Sequence, residues 1–220
     1  MCLQFCKGLN MRSISFTTVA VAAALAAAPS YAATTVETAA GFAITDNSTN
    51  SSTVNVAATG NVTGISVTLS DFVHSYVGDL IASLTHGGVT TQLFARPGFP
   101  ATTFGSSSNL VGTYSFTDGG GSLFQTFANS GNTNVAVGSY SPLDAFSAFN
   151  GMSANGDWTL TVSDNAGGDQ GSLGGFTLNV NSIGAVPEPA TWALLLLGFF
   201  GIGGMMRAKP RVARTTVSYS

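Results

Sequence analysis

Cysteine is almost missing from this chain. Its two copies, Cys2 and Cys6, lie at the extreme N-terminus, and everything after them has none. A disulfide framework or a cysteine-built metal site is therefore excluded from the body of the protein. Charge is scarce too, at 8% of 220 residues, and lysine occurs only as Lys7 and Lys209. Positions 33–186 carry nine carboxylates against one base, Arg96, a net charge of −8. Such a body repels nucleic-acid phosphates, so no nucleic-acid partner is expected. It also repels an anionic membrane surface and attracts cations. No long amphipathic helical pattern is present. Gly-x-Ser-x-Gly and His-Glu-x-x-His are both absent, so the common hydrolase signatures are missing. No catalytic residue is assigned, and a non-enzymatic protein is expected.

What is present is concentrated first at the two ends. From Met11, which reads as a better start than Met1, the chain runs "MRSISFTTVAVAAALAAAPSYAATTVE". Arg12 supplies a positive n-region, Thr17 to Ala28 an apolar h-region, and Ser30-Tyr31-Ala32 a small-residue cleavage motif. Residues 1–32 read as a secretory signal peptide cut between Ala32 and Ala33. Residues 33–41 read as a linker. The C-terminal end reads "VPEPATWALLLLGFFGIGGMMRAKPR". Residues 183–189 form a second linker, in which Pro187 and Pro189 keep the chain extended. Residues 190–206 are uncharged, and as a helix would rise about 26 Å, the length of a thin hydrocarbon core. A transmembrane helix is expected there. Residues 207–220, with Arg207, Lys209, Arg211 and Arg214, read as a basic cytoplasmic tail under the positive-inside rule.

The body between alternates with period two. Ile65, Val67 and Leu69 alternate with Ser66, Thr68 and Ser70. Trp158, Leu160 and Val162 alternate with Thr159 and Thr161, and Phe176, Leu178 and Val180 with Thr177 and Asn179. Each run describes a strand with one buried and one wet face. "DLIASL" and "VTTQLF" are further strands joined across a glycine pair. Gly and Asn clusters supply the turns, and an antiparallel sandwich follows. The richest candidate ligand site is "SDNAGGDQGSLGG". Asp164 and Asp169 there, joined by Asp79, carry the oxygen ligands that calcium takes. The favoured alternative is that these carboxylates cap their own turns. No cofactor other than calcium is indicated.

Two resemblances sharpen this reading. Pro187-Glu188-Pro189, the apolar stretch with Trp192, and the basic residues Arg207, Lys209 and Arg211 resemble the tripartite PEP-CTERM sorting signal of Gram-negative bacteria. That resemblance implies an exosortase as partner, export across the inner membrane, and delivery to the cell envelope or exterior, in a setting of exopolysaccharide and biofilm. The polar "TTVSYS" extension departs from the usual tail. Residues 42–182 resemble the P domain (P/Homo B domain) of proprotein convertases. The matching positions are His74, Gly78, Asp79 and Leu80, then Gly156, Trp158, Leu160, Val162, Asp164, Gly168, Asp169, Gly171 and Leu173. The resemblance implies an all-β jelly-roll β-sandwich of the galactose-binding-like kind, with His74 and Gly78-Asp79-Leu80 in structural roles. Thr85-His86-Gly87-Gly88 replaces the family's Ser-Pro-x-Gly-Thr turn, and Phe176 a customary Trp. P domains normally accompany a subtilisin-type protease, and that catalytic domain is lacking here.

Together these imply an exported, non-enzymatic envelope or matrix protein, sorted by an exosortase and bound to exopolysaccharide or another surface protein. The alternative is an accessory or inhibitor of a separately encoded secreted subtilisin-type protease.

Overall fold

The structure, a computed structural model, describes residues 32–127, 134–184 and 189–207, and Ser218. The predicted signal peptide up to Tyr31 lies outside the described residues, as do Pro187, Glu188, Lys209 and Arg211. The β-rich body and the C-terminal helix belong to two separate compact units.

The body is a two-sheet sandwich. One sheet has the order β1 (Ala32–Ile44), β9 (Gly171–Ile183), β3 (Asn61–His74), β6 (Leu110–Thr117) and β7 (Gly138–Tyr140). The other has β2 (Thr49–Val56), β8 (Gly156–Asp164), β4 (Leu80–His86) and β5 (Val89–Ala95). All pairings are antiparallel except β6 with β7. The sheets stay separate, with open edges, and do not close into a barrel. A single helical turn, α1 (Phe124–Phe127), lies between β6 and β7.

The alternating runs settle as expected. Ile65, Val67, Leu69, Trp158, Leu160, Val162, Phe176, Leu178 and Val180 are all buried between the sheets. Their polar neighbours pair on the outside: Thr53 with Thr159 at 2.9 Å, Thr85 with Thr90 at 2.8 Å, and Thr68 with Ser115 at 3.0 Å. Burial of one face by period-two side chains is the main force holding the layers together. Phe72, Phe94, Tyr114, Phe116, Phe124 and Tyr140 fill one part of the core with tilted and edge-on rings. These are the geometries aromatic quadrupoles favour.

Period two breaks once where it matters. The register of β3 shifts between Leu69 and Phe72, and Asp71 there has φ of 49°. The extra residue of this β-bulge turns Phe72 and His74 inward and leaves Val73 outside. Gly174 makes room for it, since a Cβ at that position would stand 2.8 Å from Asp71 Cβ.

Two expectations are corrected. Residues 33–41 are no linker: they form most of β1, paired with β9 from Ala32↔Ile183 to Ile44↔Gly171. Backbone pairing to β9 makes a strand of a stretch whose side chains bury little. The transmembrane helix expected at 190–206 is also overturned. A helix, α2 (Pro189–Arg207), is present. Yet no helix among the described residues is long and apolar enough to cross a membrane. Four of its residues, at 198, 201, 203 and 204, are glycines without apolar side chains, and Arg207 ends it. A span requires about 20 predominantly apolar residues.

Candidate functional site

The bulge in β3 delivers His74 to the end of β8, where Asp164 is the last strand residue. His74 Nε2 lies 3.1 Å from Asp164 Oδ2, and both side chains are fully buried. On the other side of the ring, the Tyr76 backbone N–H donates to Nδ1 at 3.1 Å. Nδ1 also lies 3.0 Å from the Tyr76 carbonyl oxygen, so both ring nitrogens are engaged, Nε2 by the carboxylate and Nδ1 by the Tyr76 backbone. Asp164 Oδ1 accepts the Ala166 N–H at 2.9 Å. The ring therefore has no nitrogen left to activate a nucleophile, which serine hydrolysis requires.

The neighbouring loops tie into the same knot. A 3-10 turn at Val77–Asp79 precedes β4. Asn165 donates to the Asp79 carbonyl through both its backbone N–H and Nδ2, each at 2.9 Å. Ser75 Oγ donates to Asp169 Oδ1 at 2.6 Å. Arg96, the one base of the body, donates from Nε to the Gly78 carbonyl at 3.0 Å and lies over the Phe99 ring. Gly78 itself is required: a Cβ there would meet the Ser106 nitrogen at 2.5 Å. The Asp79 carboxyl is buried, and desolvation pushes its pKa up. The charges of Asp164 and Asp169 add to that rise, and His74 and Arg96 oppose it.

The structure thus gathers Asp79, Asp164, Asp169 and His74 at one end of the sandwich. It does not make a calcium site of them. Among the described residues, no group of three or more His, Asp or Glu side chains is placed to hold a metal ion. Both oxygens of Asp164 are instead bonded, to Ala166 and His74, and Asp169 Oδ1 accepts from Ser75. Calcium needs six to eight converging oxygens, and this donor set does not fit it.

Sequence reasoning missed Arg96 and its loop. "RPGFPATTFG" leaves β5 and exposes Phe99 (46%) and Phe104 (67%). The loop is held by Ser106 N–H to Pro97 O at 2.6 Å and Thr102 Oγ1 to Gly105 O at 2.6 Å. Two Phe residues among Pro, Gly and Thr were the available signal, because a turn-forming stretch has no core to receive them.

What this geometry defines is a β-sandwich module whose most buried polar cluster is structural. Residues 63–180, just over half of the chain, match the proprotein convertase P-domain. The chain belongs to that family. Residues 185–208 match the PEP-CTERM protein-sorting motif, which covers Pro187, Glu188, Pro189 and Arg207 and stops short of Lys209 and Arg211. Neither match is to a protease catalytic domain. The sorting motif is characteristic of extracytoplasmic, envelope-sorted bacterial proteins and implies an exosortase as partner. No curated protein matches the chain. Among solved structures, it is similar to a serine protease of Aeromonas sobria at 21% identity, covering 70% of this chain and 27% of that one, with a TM-score of 0.44. It is also similar to the Aeromonas sobria serine protease in complex with the chaperone ORF2, at 18% identity, covering 72% and 28%, with a TM-score of 0.44. The chain matches little more than a quarter of the length of these structures.

Proposed function

We propose that this exported P-domain module works in the cell envelope or matrix by holding a neutral polysaccharide. The observation that carries the reading is the Phe99 and Phe104 pair. They are the exposed aromatics among the described side chains of the sandwich. Flat apolar rings on a tied loop suit the apolar face of a sugar ring, at little conformational cost on binding. The acidic body disfavours a polyanionic glycan. In this proposal the signal peptide is cut between Ala32 and Ala33. The exosortase acts at Pro187-Glu188-Pro189, with Arg207, Lys209 and Arg211 as the basic flank. Calcium at Asp79, Asp164 and Asp169 is not part of it.

The test is retention of the exported protein on insoluble exopolysaccharide from its host, compared with a Phe99→Ala, Phe104→Ala double variant. Retention that falls about tenfold or more in the variant supports the reading, the loss of about 1.4 kcal/mol or more of contact. Equal retention of both proteins, or a secreted protease co-purifying in place of glycan, overturns it.

A further inference from the structure

Four strands form the edges of the two sheets, and three of them are blunted. β5 is capped by polar groups from elsewhere. Leu143 and Asp144 backbone N–H groups donate to Leu93 and Gln92 carbonyls, each at 2.9 Å. The Asp144 carboxylate takes the Gln92 N–H at 2.9 Å, and the Gln125 amide makes a two-way pair with the Ala95 backbone. β7 has only three residues and is followed by the Leu123↔Ser141 bridge. β2 packs against β1, with Ser52 Oγ donating to Ala40 O at 2.8 Å.

β1 shares that contact at Ala40 and is otherwise the exception. From Ala32 to Ala39 it pairs with β9 on one side, and no described residue hydrogen-bonds its backbone on the other. The stretch has no Lys, no Pro and one charge, Glu37. Long bare edges of this kind are templates for another strand, and proteins normally guard them.

The sequence of this edge names its partner. Residues 33–39 read A-T-T-V-E-T-A, which is nearly the same in both directions about Val36. We infer that β1 pairs antiparallel with β1 of a second copy of this chain, with the two-fold axis at Val36. Val36, 56% exposed, then meets Val36 of the second copy. Thr34 faces Thr38, Ala33 faces Ala39, and Thr35 faces Glu37. Centring the pair one residue later would set Glu37 against Glu37, which like charges disfavour. The contact is isologous and closed, and joins two five-stranded sheets into one. Thr34, Val36 and Thr38 lie on the outer face, in the rows of Asn181, Asn179 and Thr177. The pairing does not depend on which ligand the sandwich holds.

The test uses the protein as its host exports it, which after the proposed cleavage between Ala32 and Ala33 carries no cysteine of its own. Light scattering across a concentration series is expected to show the molar mass doubling. Val36→Cys should form a disulfide-linked dimer under mild oxidation, whereas Thr53→Cys on β2 should not. Val36→Lys sets like charges across the axis and should leave a monomer with unchanged thermal unfolding. A wild-type monomer throughout, or a dimer that Val36→Cys fails to link, overturns the inference. So does a dimer that survives Val36→Lys.

Discussion

The imidazole of His86 lies flat on the indole of Trp158, with ring centroids 3.9 Å apart and planes parallel. The two residues face each other across β4 and β8. Phe149 packs on the same indole at 5.1 Å. The His86 ring also bridges two carbonyls, with Nδ1 at 2.9 Å from Asp157 O and Nε2 at 2.7 Å from Ser153 O. It joins the start of β8 to the loop before it. Trp158→Ala should cost about 3–5 kcal/mol by opening a core cavity. His86→Phe keeps the stack but removes the polar bridge, so a smaller loss of about 1–3 kcal/mol is expected. Urea unfolding of both variants checks the order. A neutral His86→Phe would show that the bridge contributes nothing.

The His74–Asp164 pair is expected to act on stability alone. Removing one partner of a buried hydrogen-bonded pair strands the other, at about 3–5 kcal/mol. Asp164→Ala should therefore unfold at markedly lower urea. Asp164→Asn, whose single carbonyl oxygen keeps one of the two bonds from His74 and Ala166, should lose less. Chemical denaturation at neutral pH measures both, and equal losses would mean the charge, not the hydrogen bonds, matters.

Asp79 gives a pH signature of the opposite kind. Its carboxyl pKa is raised by burial and by Asp164 and Asp169, so the folded state holds this proton more tightly than the unfolded chain. Its contribution is most favourable below the unfolded value of 3.8, and is lost as pH rises through the higher folded value. Asp79→Asn should raise the melting temperature at pH 7, with the advantage vanishing below pH 3.8. A thermal-melt series across acidic pH tests this, and an Asn variant less stable at pH 7 contradicts it.

The sandwich was legible because its central strands bury one face, and burial writes itself as alternation: Trp158-x-Leu160-x-Val162 leaves little choice. β1 was not, because Thr, Ala and a single Val bury little, and its pairing resides in the backbone. The bulge at Asp71 was also invisible, since nothing in "TLSDFVH" marks an added residue. It is this bulge that brings His74 to Asp164. The C-terminal helix is legible in the sequence as an element but not as a span, since no described helix is long and apolar enough to cross a membrane. The acidic end was read from residue types, and carboxylates read the same whether they face an ion or a backbone N–H.

Calcium discriminates those last two cases directly. A ligand that binds only the folded state at a hundred times its Kd adds about 2.7 kcal/mol to stability. Even weak extracellular calcium sites, with Kd about 10⁻⁴ M, should respond to 10 mM calcium on that scale. No shift in melting temperature is expected here on adding calcium or EDTA. A rise with calcium that Asp169→Asn abolishes would reinstate the metal.

Gly41 is the position where β1 depends most on a missing side chain. A Cβ there would stand 1.8 Å from the Leu173 carbonyl oxygen and 2.6 Å from the Gly174 carbonyl carbon. These are backbone atoms of β9, and their neighbours Ser172 and Gly175 are paired with Val73 and Ser70 of β3 on the far side, which limits how far they can move. Either β1 lifts off or β9 shifts with its neighbour. Gly41→Ala should then exceed the ~1–3 kcal/mol of ordinary overpacking. Hydrogen exchange separates the two outcomes. If β1 lifts, protection is lost along residues 32–44 while Leu178 and Val180 in β9 keep theirs. If β9 shifts, protection falls across β9 and β3 together. The first is expected, because β1 has a hydrogen-bonded neighbour on one side and β9 has one on both. An alanine variant as stable as the parent would mean that β1 does not sit as close to β9 as its register requires.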